Sequence, residues 1–155
     1  MHKVVKLKVL GNGHYPYEGT KATLEMSVGE IKTLLGKHGC TRIAEMTDQR
    51  GKDPLVTLAW EHSGIPFMVE FPVTYSPQGK LRMEISGRII FHRIKAMLIE
   101  VEIDLWSFTQ AMSPFLALPG ADGRPEPMYD YVEEHRAELT ARVLIFPQLT
   151  TGERK

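Results

Sequence analysis

The hydrophobic period of the chain changes near Gly87, and this change constrains the fold more than any other feature. Before it, apolar and polar residues alternate in short segments, as in residues 3–10. After it, apolar residues recur every three or four positions from residue 90 to residue 112. A period of two is typical of half-buried strands, and a period of 3.6 is typical of amphipathic helices. We therefore predict an α+β protein with its sheet in the first half of the sequence.

Alternating segments and turn residues define the expected strands. We predict strands over residues 3–10, 20–26, 41–47, 55–61 and 65–73, and a further short strand over residues 81–85. Pro66 and Pro72 cannot donate ladder hydrogen bonds, which favours an edge position for the strand that contains them. The residues Gly11, Asn12 and Gly13 are typical of a turn that ends the first strand.

Three segments have the pattern of helices. Ser27 and Glu30 form a capping-box pattern, which predicts a helix that starts there and ends near Gly39. The period after Gly87 predicts a long helix over residues 87–112. A loop over residues 118–127, with a turn at Asp122-Gly123, is expected to lead into a last helix over residues 128–142. The predicted fold is a single-domain antiparallel sheet of about five strands, with one long and two shorter helices packed on it.

The length of 155 residues fits one domain, which we place at residues 1–149, followed by a flexible tail at residues 150–155. No apolar run approaches the roughly 18–20 residues of a membrane span. The N-terminus lacks the uninterrupted apolar stretch of a secretory signal, so a cytoplasmic location is expected. Cys40 is the sole cysteine, which excludes an internal disulfide.

Residues that commonly carry catalysis or bind metals form no known motif. The six histidines, at positions 2, 14, 38, 62, 92 and 135, show no helical four-residue spacing. We interpret them as surface or helix-terminal residues, and the alternative is a zinc site assembled from distant His and Asp residues. Cys40 lies two residues from His38, but we favour a buried, inert thiol. Glu100, Glu102 and Asp104 are interpreted as a solvated helix face rather than a ligand set. We therefore predict a non-enzymatic protein with no catalytic residue, no metal site and no cofactor.

Residues 80–95 contain five Lys and Arg side chains and a single acid, Glu84. The five cations are Lys80, Arg82, Arg88, Arg93 and Lys95. Cations near a helix N-terminus oppose the helix dipole, so their presence there favours a phosphate-binding site built on residues 86–88. An alternative is that these cations pair with acids of the last helix. Those acids are Glu133, Glu134 and Glu138.

Aromatic residues on the predicted sheet allow two interpretations. The set comprises Trp60, Phe67, Phe71 and Tyr75. If they are exposed, they form a platform on which single-stranded bases stack. If they are buried, they belong to the core. Trp106 and Phe108 on the long helix are expected to make packing or oligomer contacts.

The net charge of zero conceals an uneven distribution of charge. Residues 1–95 contain 14 Lys and Arg against 9 Asp and Glu, whereas residues 96–155 contain 5 against 10. The first part therefore has a net charge of +5 and the second of −5. This distribution is compatible with a basic face for a polyanion or with contact between complementary surfaces of two molecules.

Three stretches occur together in an order that is similar to one known group of proteins. They are residues 31–39, the segments around Trp60 and residues 67–72, and the helix at residues 94–102 followed by residues 115–117 and the Asp122-Gly123 turn. Over residues 20–146 this order resembles small, poorly characterised proteins encoded by bacteriophages and prophages. The resemblance implies a phage accessory protein in the host cytoplasm, acting in DNA metabolism or against host systems. It implies no catalytic residues.

These patterns lead to two functional hypotheses. The first is a nucleic-acid-binding protein, for which single-stranded DNA in replication or recombination is the favoured target. Its phosphate contacts are Lys6, Lys8, Arg82, Arg88, His92, Arg93 and Lys95, and its stacking residues are Trp60 and Tyr75. The alternative is a protein-interaction or inhibitor module that acts on a host defence or replication factor. A homodimer formed through the helix at residues 87–112 is expected, and a small enzyme with an Arg- and His-lined pocket is a third class.

Overall fold

The computed structural model describes residues 2–143, where seven strands and five α-helices form three small sheets and the layer that packs on them. The strands are β1 (Val4–Lys6), β2 (Thr41–Asp48), β3 (Leu55–His62), β4 (Ile65–Glu70), β5 (Val73–Tyr75), β6 (Ala117–Pro119) and β7 (Pro125–Pro127). The helices are α1 (Leu24–Lys37), α2 (Met83–Glu102), α3 (Phe108–Ala111), α4 (Met128–Glu134) and α5 (Arg136–Val143), and a 3₁₀ turn covers Ser113–Phe115. The α+β class is therefore confirmed.

The central sheet is antiparallel and has the order β2, β3, β4. Its strands match the predictions for residues 41–47, 55–61 and the first part of 65–73. Trp60 of β3 lies opposite Phe67 of β4, and Gly64 in the connecting turn has a φ of 77°, a value that favours glycine. Within this sheet β4 pairs with β3 alone, which fits the predicted edge position, although Phe67 of β4 also makes one isolated bridge to Leu116 on the other side.

A parallel pair of strands, β1 and β5, takes the place of the predicted first strand. That strand was predicted to cover residues 3–10 and to be antiparallel. Both predictions are wrong, because β1 ends at Lys6 and pairs with β5 in parallel. Pro72 lies between β4 and β5, and it has no N–H with which to continue the β4 ladder. The main antiparallel sheet thus has three strands rather than about five.

The segment before α1 is not a strand, so the prediction for residues 20–26 is wrong. Thr23 caps α1, since its hydroxyl oxygen accepts a hydrogen bond from the Met26 N–H at 3.1 Å. The predicted capping box at Ser27 is wrong for the same reason, because Ser27 lies inside the helix and is fully buried. The predicted end of the helix is confirmed: Gly39 has a φ of 81° directly after the cap.

Helix α2 begins and ends earlier than the sequence pattern predicts. It starts at Met83, so residues 81–85 do not form a strand, although Leu81 makes one bridge to Tyr75. It ends at Glu102, and Asp104 has a left-handed φ of 57°. The chain then enters α3 through a capping box formed by Ser107. The predicted helix over residues 87–112 is therefore two helices joined by a turn.

The core lies between the central sheet and the pair α1 and α2. Its largest buried side chains include Trp60, Phe67, Phe115, Ile31 and Ile94, each 1% exposed or less. Burying a side chain of this size contributes roughly 1.5–3 kcal/mol. After the turn at the end of α2, Phe108 and Met112 return to this core. Most of the apolar residues that recur with helical spacing after Gly87 therefore belong to this core or pack against it.

The end of the described chain forms a hairpin and a broken helix. The predicted loop at residues 118–127 contains the β6–β7 hairpin, and the predicted turn is confirmed because Gly123 has a φ of 77°. The predicted last helix is interrupted at His135, the C-cap of α4. The tail at residues 150–155 lies outside the described residues. No helix among those residues is long and apolar enough to cross a membrane.

Candidate functional site

The proposed phosphate contact Arg82 is held inside the fold. Its guanidinium contacts the Glu84 carboxylate, which raises the pKa of Arg82. It also donates hydrogen bonds to the Tyr15 hydroxyl at 2.6 Å and to the Glu18 carbonyl oxygen at 3.1 Å. These contacts attach residues 15–18 to the start of α2, so the role of Arg82 in this structure is to stabilise the fold.

Arg88 is also occupied by internal contacts. Its Nε donates a hydrogen bond to the Ser27 hydroxyl at 2.8 Å, and Nη2 lies 3.0 Å from a Glu30 carboxylate oxygen. The guanidinium lies 4.4 Å from the centre of the Phe91 ring. The expected ion pairs of Arg82 and Arg88 therefore exist, but their acids belong to α1 and α2 and not to the last helix.

The predicted phosphate site at residues 86–88 is wrong. These residues lie within α2 rather than at its start, because the helix begins at Met83. Ser86 and Gly87 are both buried within the helix. Hence the backbone N–H groups at this point are part of the helical ladder and do not face a ligand.

The aromatic platform is not formed. Trp60 is 1% exposed and stacks on Phe67 with ring centres 6.0 Å apart, so its proposed stacking on bases is wrong. Phe67 and Phe71 are also buried. Tyr75 is half-buried and donates its hydroxyl hydrogen bond to Asp53, which raises the pKa of Tyr75. The core interpretation of these aromatic residues is the correct one.

Five of the proposed nucleic-acid contacts are exposed and form no ion pair with another described residue. They are Lys6, Lys8, His92, Arg93 and Lys95. The last three lie close together on α2, where His92 stacks on Tyr17 at a ring distance of 5.4 Å. Val5 and Leu7 pack with Ile85 of α2, so Lys6 between them points away from that helix. The exposed cations are thus divided between two surfaces.

The outer side of α2 has an unusual composition for a solvent-facing helix. We call the line His92, Ala96, Ile99 and Ile103 the α2 strip, because these residues recur every three or four positions on one side. Ile99 is 47% exposed and Ile103 is 66% exposed. Leu105 and Trp106 extend the apolar surface beyond the helix, at 56% and 48%. Contiguous exposed apolar residues of this kind mark interaction sites.

Charged residues border the α2 strip on both sides. One edge contains Lys95 and Glu102, and the other contains Arg93 and Glu100, so each edge has a base seven residues before an acid. Glu102 also lies 3.1 Å from His38. Asp104 lies outside the helix, and Glu100 and Glu102 lie on opposite edges of the α2 strip, so these three acids do not share one helix face.

The structure brings together three possible metal ligands that the sequence analysis did not identify. Glu126 of β7, Glu134 of α4 and His135 each provide one ligand atom, and these atoms lie within 4.8 Å of one another. The sequence contains a weak signal for this cluster, since Glu126, Asp130 and Glu134 recur at helical spacing. Helical spacing alone does not predict the cluster, because Glu126 lies before the helix and His135 lies after its end.

Cys40 is not an activated nucleophile. It is 9% exposed, and burial raises its pKa to about 11. The neighbouring His38 is engaged elsewhere: Nδ1 lies 2.8 Å from the Leu34 carbonyl oxygen, and Nε2 lies 3.1 Å from a Glu102 carboxylate oxygen. The expectation of a buried thiol is confirmed.

No protein-family model, no curated protein and no solved structure matches this chain. The resemblance to phage-encoded proteins therefore stays a prediction from the sequence.

Proposed function

We propose that the protein is an interaction module, and that the partner of its α2 strip is a second copy of the same chain. The observation that carries this proposal is the exposed apolar line of α2 between two edges of mixed charge. Nucleic-acid binding is less well supported, because Arg82 and Arg88 are paired inside the fold and Trp60 is buried. The proposal develops the interaction-module alternative and the dimer that the sequence suggested.

The charge pattern of the edges fits an antiparallel partner. A twofold axis between two antiparallel helices brings each edge against the same edge of the copy. Lys95 then faces Glu102 of the copy, and Arg93 faces Glu100 of the copy. On both edges the base and the acid are separated by seven residues, which is about 10.5 Å along the helix axis. One helix surface is therefore electrostatically complementary to itself, as in an isologous dimer.

The apolar centre fits the same arrangement. An axis midway between Ala96 and Ile99 places Ala96 level with Ile99 of the copy, so that a small residue faces a large one. The same axis leaves each Lys–Glu and Arg–Glu pair offset by about 3 Å along the helix, which long side chains span easily. Ile103 lies opposite His92 of the copy. Burial of the isoleucines provides the free energy, while the charges set orientation and register.

The first test is the molar mass of the full chain in solution. We expect light scattering after size exclusion to give a dimer at about 100 μM protein, and Ile99→Asp to give a monomer with an unchanged circular-dichroism spectrum. Met46→Asp is the matched control, since Met46 is similarly exposed on β2, away from α2. A wild-type monomer at this concentration would overturn the proposal. A dimer that both substitutions leave intact would also overturn it.

A charge exchange tests the antiparallel register. Lys95→Glu and Glu102→Lys should each weaken the dimer, because each places like charges opposite one another. An equimolar mixture of the two variants should form a heterodimer, since both contacts are then attractive again. Lys52→Glu makes the same change of charge in an exposed loop and should have no effect. Weakening without recovery in the mixture would contradict this register.

Binding of single-stranded nucleic acid is the second candidate, supported by the exposed cations of α2 and of the first strand. It predicts an anisotropy change of a fluorescent oligonucleotide at low salt that falls steeply as salt is added. Arg93→Ala should reduce the salt dependence, whereas substitution of Lys52 should not. No anisotropy change at micromolar protein would exclude this candidate. The phage setting and a host defence or replication factor as a further target stay predictions.

A further inference from the structure

The end of the β6–β7 hairpin and the end of α4 meet in a compact group of metal-ligating side chains. We propose that Glu126, Glu134 and His135 bind a divalent first-row transition-metal ion. One ligand atom of each residue lies within 4.8 Å of the others, which is a separation that one ion can bridge at the usual ligand distances of about 2.0–2.2 Å. This site is separate from the α2 strip and does not depend on the proposed dimer.

The burial of Glu126 is an independent indication of a ligand. Its side chain is only 8% exposed, and its Oε1 has no hydrogen-bond partner. None of the ion pairs among residues 2–143 includes Glu126 or Glu134. A buried carboxylate oxygen without a hydrogen-bond partner is costly. A bound cation would remove this cost.

His135 is oriented as metal-binding histidines usually are. Its Nδ1 lies 2.9 Å from the Tyr131 carbonyl oxygen, so Nδ1–H donates to that oxygen and the Nε2 lone pair is left for an ion. The ring is also stacked on Tyr131 with centres 4.0 Å apart. Both contacts fix the imidazole before any ligand arrives. Asp130 lies nearby and has an interaction of its own, so it is not counted among the ligands.

The donor set indicates the class of metal. Two carboxylates and one imidazole suit Mn²⁺, Zn²⁺ or Fe²⁺ better than Ca²⁺ or Mg²⁺, which prefer oxygen ligands alone. Three protein ligands leave at least one coordination position open. Glu126 and Glu134 also line a surface cleft of about 780 Å³ that includes Arg124, so the open position would face that cleft.

The experiment uses the full chain after treatment with a chelator. Calorimetric titration with Mn²⁺ or Zn²⁺ should give one site per chain, and either ion should raise the Tm by several degrees, whereas Mg²⁺ should not. Co²⁺ should produce visible absorption bands when it occupies the site. Absence of heat, Tm shift and absorption bands with millimolar metal would overturn the proposal.

Two variants separate metal binding from a merely structural role. Glu126→Gln removes the buried charge, so we expect a higher Tm without metal and at least a tenfold loss of metal affinity. His135→Ala should also abolish the Co²⁺ bands and serves as the second variant if the first does not fold. Glu133→Gln, an exposed residue of the same helix, should bind metal like the wild type. Equal metal affinity in Glu126→Gln and Glu133→Gln would overturn the proposal.

Discussion

Arg88 donates a hydrogen bond from Nε to the Ser27 hydroxyl at 2.8 Å, and this contact joins α2 to α1 near the first turns of both helices. Ser27 is fully buried. The same guanidinium of Arg88 also pairs with the carboxylate of Glu30, which is exposed at the surface. A cation that the sequence suggests for phosphate binding thus stabilises a helix pair. This relationship has a direct consequence for mutagenesis.

Arg88→Ala should destabilise the fold. The substitution leaves the buried Ser27 hydroxyl without its donor, which costs about 1–3 kcal/mol. The free energy of unfolding in urea measures the effect. Lys52→Ala in an exposed loop should change it by less than about 0.5 kcal/mol. Equal effects of the two substitutions would show that the contact does not stabilise the helix pair.

Gly87 should not tolerate alanine. A Cβ at this position would lie 2.9 Å from the Ser27 Cβ, so the helices would have to separate, at a cost of about 1–3 kcal/mol. Gly29→Ala in α1 is the matched control, because a Cβ there meets nothing within 4 Å. That change should stabilise the helix by about 0.5–1 kcal/mol. Thermal melting should therefore give a lower Tm for Gly87→Ala and a higher Tm for Gly29→Ala than for the wild type.

Cys40 should react slowly with iodoacetamide in the folded protein. Its pKa of about 11 against an ordinary 9.0 means that roughly one hundredth of the usual thiolate fraction is present at pH 8. The rate should rise with pH up to about 11 and should increase sharply when the protein is unfolded in urea. Because the folded state holds the proton more tightly, stability should fall as pH rises from 9 towards 11. A fast reaction at pH 7 would contradict the burial of the thiol.

The two tryptophans should give clearly different fluorescence. Trp106→Phe leaves Trp60, which is 1% exposed, so its emission should be blue-shifted and resistant to acrylamide. Trp60→Phe leaves Trp106, which is 48% exposed, so that emission should be red-shifted and readily quenched. The second substitution removes core volume and should also lower the Tm. Similar quenching of both variants at equal Tm would contradict the assigned positions of the two rings.

The central sheet could be predicted from the sequence because its signals are local. Alternation of apolar residues marks β3 and β4, and Gly64 marks the turn between them. The helix end at Gly39 is equally local, since a left-handed conformation favours glycine. Periodicity alone predicts too long a helix at α2, because Leu105, Phe108 and Met112 continue the helical spacing beyond a turn at Asp104. The spacing of apolar residues does not indicate where a residue other than glycine adopts a left-handed backbone conformation.

The sequence by itself determined the α+β class, the order of most elements and the cluster of cations at residues 80–95. Only the tertiary structure decided what those cations do, because both hydrogen-bond partners of Arg88 and two of the three partners of Arg82 lie more than 50 positions earlier in the chain. It also decided which aromatic residues are buried and which side of α2 faces solvent. The physical reason is that burial and pairing depend on contacts between distant segments, whereas a residue pattern records only the preferences of neighbours.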